Sequence, residues 1–291
     1  MSCKQRIGLQ QQGYSDLSHG AEKNKLFWRG VTLVAVSCKG WLQDGDVKGI
    51  KMIATTQTVR EIAVEQPSSI RVFESFGIDY CCGGRKPLAE ACAARAVEVD
   101  AVLAALEAAA ATETKAEEDH SHLALKDLIW YIVATHHAYV LRELPRLAVL
   151  AQKVVNRHGD TMAELRVIQA KLATLDEELT QHLAKEEKIL FPYVVDLERA
   201  RRGESVYPAA CFGSVTSPIA MMMQEHEAAG ALLVELRKLS HDFTAPDGAC
   251  PTFLAYYAGL KEFESDLHQH IHLENNILFP RAIALEHGSQ A

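Results

Sequence analysis

The chain is expected to be all-α: a four-helix bundle preceded by a small helical domain. Three observations lead there. The segment His182-Leu-Ala-Lys-Glu186-Glu-Lys-Ile-Leu-Phe-Pro192 recurs 88 residues later as His270-Ile-His-Leu-Glu274-Asn-Asn-Ile-Leu-Phe-Pro280, so both copies read H-x3-E-x2-I-L-F-P. A histidine stands 45 residues before the first copy (His137) and 44 before the second (His226), which suits a helix, a connection and a returning helix. Residues from about 58 onward carry helix start and stop signals in close succession.

Residues 1–51 stand apart. They hold eight Lys/Arg against four Asp/Glu, whereas the remainder has 22 against 34, and they show no sustained helical period. Met52 immediately precedes the patterned sequence. The leader is expected to be a disordered segment or an upstream extension of the reading frame, and it carries no functional assignment.

A small helical domain is expected over 56–111. Thr58 and Glu61 have capping-box spacing, in which each side chain satisfies the other's backbone N–H. Pro67 suits the first turn of a helix that runs through Ile70, Val72, Phe73 and Phe76 to Gly77. The turn Asp79-Tyr80-Cys81-Cys82-Gly83-Gly84 follows, Pro87 opens another helix, and Ala101 to Ala111 is nearly all helix formers. Residues 112–119 are charged, lack large apolar side chains and read as a linker.

The bundle is expected over 120–287. Its helices fall near 123–155, with a bend at Pro145, 162–197, about 219–240 and about 252–285. Pro192 and Pro280 each close an Ile-Leu-Phe run and should kink or end their helices at the same level. That symmetry points to a duplicated helical hairpin.

Residues four apart in a helix share one face. Each repeat therefore presents an imidazole and a carboxylate side by side, next to apolar residues that must be buried. His/Glu pairs projecting inward from several helices are how bundles hold two metal ions. The candidate ligands are His137, His182, Glu186, His226, His270 and Glu274. Imidazole with bridging carboxylate suits iron or another first-row metal better than magnesium or calcium. Six ligands leave open positions on two six-coordinate irons for an oxo bridge, dioxygen or nitric oxide.

The remaining histidines weigh differently. His136, His158, His241, His268, His272 and His287 read as ordinary core or surface residues. Cys92 reads as core filler, and Met221-Met222-Met223 as packing of the third helix. The adjacent Cys81 and Cys82, followed by two glycines, read as functional thiols on a turn free to move, since neighbouring cysteines cannot easily form a relaxed disulfide.

Net charge is −8 with no basic stripe, which argues against nucleic acid. No apolar run reaches the roughly 18–20 residues of a membrane span. Seven cysteines, an odd number with one adjacent pair, fit reduced thiols in a cytoplasmic protein.

The segment from Thr58 to Gly84 with its Cys-Cys-Gly-Gly turn, followed by a bundle carrying His226-Glu-Ala-Ala-Gly and the His270 motif, resembles the iron–sulfur cluster repair di-iron proteins over residues 57–285. The resemblance implies a haemerythrin-like bundle with two oxo-bridged non-haem iron ions bridged by Glu186 and Glu274. It favours His137 over the adjacent His136, and places the acidic residues Glu178 and Glu225 beside the centre. It further implies a cytoplasmic role in repairing clusters damaged by nitric oxide or oxidants. The partners would be damaged iron–sulfur proteins, with nitric oxide or dioxygen as small ligands and a homodimer as an allowed assembly. An iron donor aided by Cys81 and Cys82 is the leading reading. The alternatives are a di-iron nitric oxide or dioxygen reductase, and a gas-binding sensor or carrier.

Overall fold

The computed structural model describes residues 53–111, 119–209 and 212–288. The leader 1–51 and all but the last residue of the expected linker 112–119 lie outside them. Eleven α-helices form among the described residues: α1 (Val59–Glu65), α2 (Ser69–Phe76), α3 (Leu88–Ala94), α4 (Val99–Ala111), α5 (Leu125–Ile132), α6 (Ala138–His158), α7 (Glu164–Lys185), α8 (Phe191–Arg201), α9 (Thr216–Leu239), α10 (Pro251–His272) and α11 (Phe279–His287). No strand accompanies them there. One isolated bridge joins Thr58 to Pro87.

The four smaller helices start and stop where local chemistry dictates. Thr58 Oγ1 accepts from the Glu61 N–H at 3.2 Å, and Glu61 returns the bond to the Thr58 N–H at 2.9 Å, so the capping box is closed. Gly77 ends α2 in the left-handed conformation at φ 65°, which costs a residue without Cβ little. Val59, Phe73, Leu88 and Leu106 are fully buried, in one apolar cluster that continues into the bundle through Leu144, Leu172, Leu233 and Phe263.

The bundle is built from four rods. Three of them are interrupted by a π turn: Val133–His137 joins α5 to α6, Glu186–Leu190 joins α7 to α8, and Leu273–Leu278 joins α10 to α11. The third rod, α9, runs without a break. Packing places α6 between α7 and α10, with α9 on the other side of α7.

Two expectations concern prolines. Pro145 lies within the continuous helix α6, and the first rod is interrupted instead by the π turn ending at His137. Pro192 and Pro280 do not end their rods, which resume as α8 and α11. In a regular turn the proline ring would meet the carbonyl four residues back. The π turn widens the helix just before each proline. Phe191 N–H donates to the Glu186 carbonyl and Phe279 N–H to the Glu274 carbonyl, five residues back in both cases. Each proline then sits at the start of a resumed helix, where its missing N–H is harmless.

Each rod also passes from one apolar cluster to another. The second cluster holds Leu128, Ile132, Leu190, Phe191, Met222, Leu278 and Phe279. The changeover falls between Ile132 and Val140, Leu183 and Leu190, Met222 and Ala229, and Ile271 and Leu273. A polar layer crosses the bundle there, and it is the candidate site.

Candidate metal centre

The structure brings the six expected residues of the duplicated frame into this layer. His137 closes the first π turn, His182 stands one turn before the second, and His270 one turn before the third. Glu186 opens the second turn and Glu274 is the second residue of the third, while His226 projects from the uninterrupted α9. A π turn carries one extra residue per turn, so it re-aims side chains without breaking the rod. All six residues are buried, both carboxylates completely.

The donor atoms fall into two groups that share both glutamates: His137, Glu186, His270 and Glu274, and His182, Glu186, His226 and Glu274. His137 Nε2 lies 3.2 Å from His270 Nε2, and His226 Nε2 lies 2.9 Å from His182 Nε2. Glu186 Oε2 is 3.5 Å from His137 Nε2 and 3.4 Å from His182 Nε2. Glu274 spans the pairs, with Oε1 3.0 Å from His270 Nε2 and Oε2 3.1 Å from His226 Nε2.

None of the four carboxylate oxygens of Glu186 and Glu274 has hydrogen-bond geometry with a partner. Such burial is costly unless a cation compensates it. Paired imidazole nitrogens and two shared carboxylates therefore fit two divalent cations held side by side. Without cations, burial and then the Glu274 charge push Glu186 well above the usual carboxylate range. Burial also acts to raise Glu274, but His270, His137 and His226 outweigh it and hold this residue well below that range. Burial lowers His182 and His270 to about 4, so both are neutral, and ready to ligate, at neutral pH.

Outer contacts orient three of the four rings. The Nδ1 atoms of His137, His182 and His226 lie 2.8 Å from Glu187, 2.8 Å from Glu225 and 2.9 Å from Asn275. Such contacts fix the tautomer that leaves Nε2 free for a metal. Glu225 also pairs with Lys185. Glu178 is exposed and orients no ring; it lines a cleft of about 330 Å³ together with Gln181, His182, Lys185, Glu225 and His226. Glu187 and Asn275 were not among the sequence candidates. The signal was present, because each directly follows the shared glutamate of its repeat.

Of the other histidines, His136 and His272 are buried core residues, with Nδ1 2.8 Å from Asn276 Nδ2 in His272. His158 lies 3.5 Å from the Cys250 thiol. Cys92 is buried, and of the three methionines only Met222 is in the core.

The cysteine turn is not the loose element the glycines suggested. The Asp79 carboxylate accepts from the backbone N–H groups of Cys81 and Cys82 at 3.0 Å and Gly83 at 2.9 Å. At Gly84 a Cβ would stand 2.6 Å from the Tyr80 carbonyl oxygen, so glycine is needed for close approach. Asn276, on the third π turn, donates to that same carbonyl at 2.9 Å, and Arg60 reaches the Asn276 carbonyl at 3.3 Å. Three consecutive residues thus serve different tasks: Glu274 faces the centre, Asn275 orients His226, and Asn276 holds the cysteine turn. Cys81 is buried, and its contact with Cys82, burial and nearby Asp79 push its thiol well above the ordinary range. Cys82 is partly exposed and its Sγ lies 3.7 Å from the His226 carbonyl.

Residues 128–282 match the family described as Hemerythrin HHE cation binding domain, and residues 55–110 match one described as Domain of Unknown function (DUF542). The chain is 39% identical over 228 residues to a protein of Yersinia pseudotuberculosis serotype O:1b named iron–sulfur cluster repair protein YtfE, covering 78% of this chain and 96% of that relative. The protein of the same name from Yersinia pestis (strain Pestoides F) matches with the same identity and coverage. No helix among the described residues is long and apolar enough to cross a membrane.

Proposed function

The chain belongs to the family of the iron–sulfur cluster repair protein YtfE, and from that premise we propose that it restores damaged iron–sulfur clusters by supplying iron from its buried centre. The observation that carries the reading is the pair of four-residue groups sharing Glu186 and Glu274. His137 and His270 would hold one iron and His182 and His226 the other, with both glutamates bridging. When bound, iron in this imidazole and carboxylate setting supplies a redox-active cation.

The chain's own residues supply the rest. Burial keeps His182 and His270 unprotonated, so protons do not compete for Nε2 near neutrality. The cleft lined by His182, His226, Glu225 and Lys185 would serve as the approach to one half of the centre. Cys82, whose Sγ lies 3.7 Å from the His226 carbonyl, would receive iron or nitric oxide. Nitric oxide and dioxygen are small enough for the cleft, and reduced thiols fit work in the cytoplasm.

Anaerobic Mössbauer spectroscopy with metal analysis, before and after incubation with a cluster-depleted enzyme, tests the proposal. Two irons per chain are expected, and iron lost by the protein should match activity regained by the client. Restoration without loss of iron, or catalytic consumption of nitric oxide, would overturn the donor reading.

A further inference from the structure

The duplication aligns His137 with His226, His182 with His270 and Glu186 with Glu274. The outer contacts follow the same register only in part. Glu187 and Asn275, each just after a shared glutamate, orient His137 and His226. Glu225, just before His226, orients His182. By that symmetry the residue just before His137 should orient His270, and that residue is His136.

His136 makes a different contact. Its ring lies parallel to that of His270, at 4° with centroids 5.8 Å apart, and its Nδ1 is 3.0 Å from Asp266 Oδ1. Asp266 is four residues before His270 on α10, hence on the same helix face. Its second oxygen, Oδ2, is buried with no hydrogen-bond partner, and so is His270 Nδ1. The two orphans are chemically complementary. An imidazole that ligates through Nε2 carries its proton on Nδ1 and needs an acceptor there. A buried carboxylate oxygen needs a donor.

We propose that Asp266 is the positioning carboxylate of His270, with Oδ1 holding the His136 ring parallel to the ligand ring and Oδ2 accepting from the Nδ1 proton across one bridging water. The inference rests on the two-iron reading above. It makes the halves of the centre unlike: His182 is oriented from the open cleft by Glu225, and His270 from the interior by the Asp266–His136 pair.

Asp266→Asn is the informative variant. The amide keeps an acceptor for His136 but replaces the second oxygen with a donor, which cannot accept from a water held by the His270 Nδ1–H. The measurements are iron per chain, the rate of iron release to a ferrous chelator, the Mössbauer signature of each iron, and the thermal midpoint of metal-free protein. One of the two irons should leave about 10–100-fold faster and change its signature, while the metal-free midpoint stays at the wild-type value. Adding His136→Glu, which places a carboxylate at the position symmetric to Glu225, should restore slow release. Equal release of both irons at the wild-type rate, or equal acceleration of both, would overturn the assignment. Wild type with fewer than two irons overturns the parent reading as well; two irons in wild type with an unchanged variant overturns this inference alone.

Discussion

The Sγ atom of Cys82 lies 3.7 Å from the carbonyl oxygen of His226, so the small N-terminal helices place a thiol against the backbone of a candidate ligand. Cys81 is buried beside it, and its contact with Cys82, its burial and Asp79 all raise its proton affinity. The pair is therefore unequal, and Cys82 is the thiol with access. Cys82→Ser should keep two irons per chain and the absorption of the centre, yet restore a nitric-oxide-damaged client more slowly than wild type. Loss of iron in this variant would make the thiol a ligand, and repair at the wild-type rate would make it a bystander.

The centre separates histidines of like chemistry by position alone. His182→Ala and His270→Ala should each lose at least one iron, because each removes an Nε2 that faces both a second imidazole and a shared glutamate. His158→Ala and His241→Ala should retain both, since one contacts Cys250 and the other sits exposed at the end of α9. Metal analysis after desalting decides the matter, and full retention in both of the first two variants would remove the assignment.

The six candidate ligands could be read from the sequence because the duplication repeats them in one apolar frame, and buried His/Glu pairs have few uses other than metal binding. The π turns could not. A helix with one extra residue leaves the apolar period nearly intact, so the prolines stood out in the sequence and the turns did not. Asp266 and Asn276 were hidden for a different reason. Their partners, His136 and the Tyr80 carbonyl, lie 130 and 196 residues away, and nothing in the local sequence connects them. The glycines after Cys82 signalled freedom, whereas Gly84 is required because the Tyr80 carbonyl leaves no space for a Cβ.

Burying Glu186 and Glu274 without hydrogen-bond partners should make the metal-free bundle less stable than its packing alone would allow. A buried polar group left without a hydrogen-bond partner costs about 1–3 kcal/mol, which an apolar side chain of similar volume does not incur. Glu186→Leu should therefore raise the thermal midpoint of metal-free protein while abolishing tight iron binding. Calorimetry on chelator-treated samples checks the first effect and metal analysis the second. A lower metal-free midpoint in the variant would show that Glu186 is satisfied in some other way.

His272 should make stability depend on pH in a direction that can be worked out. Burial and the Arg60 charge lower it from 6.5 to about 4, and an Asn276 N–H facing Nδ1 at 2.8 Å requires that nitrogen to be unprotonated. Between these values the unfolded chain binds a proton at this residue and the folded chain does not. Its contribution to stability is thus complete above 6.5 and is lost as pH falls toward 4, at up to about 1.4 kcal/mol per pH unit for one proton. His137 and Glu186 shift the opposite way, so the net slope of the wild type is not diagnostic. The difference between wild type and His272→Gln is diagnostic, because glutamine cannot titrate and the other groups are common to both. Denaturant unfolding of metal-free protein at several pH values from 4.5 to 7 should show the variant losing less stability than wild type on acidification. Parallel curves would mean that His272 takes up its proton equally in both states, and that Asn276 does not hold it neutral.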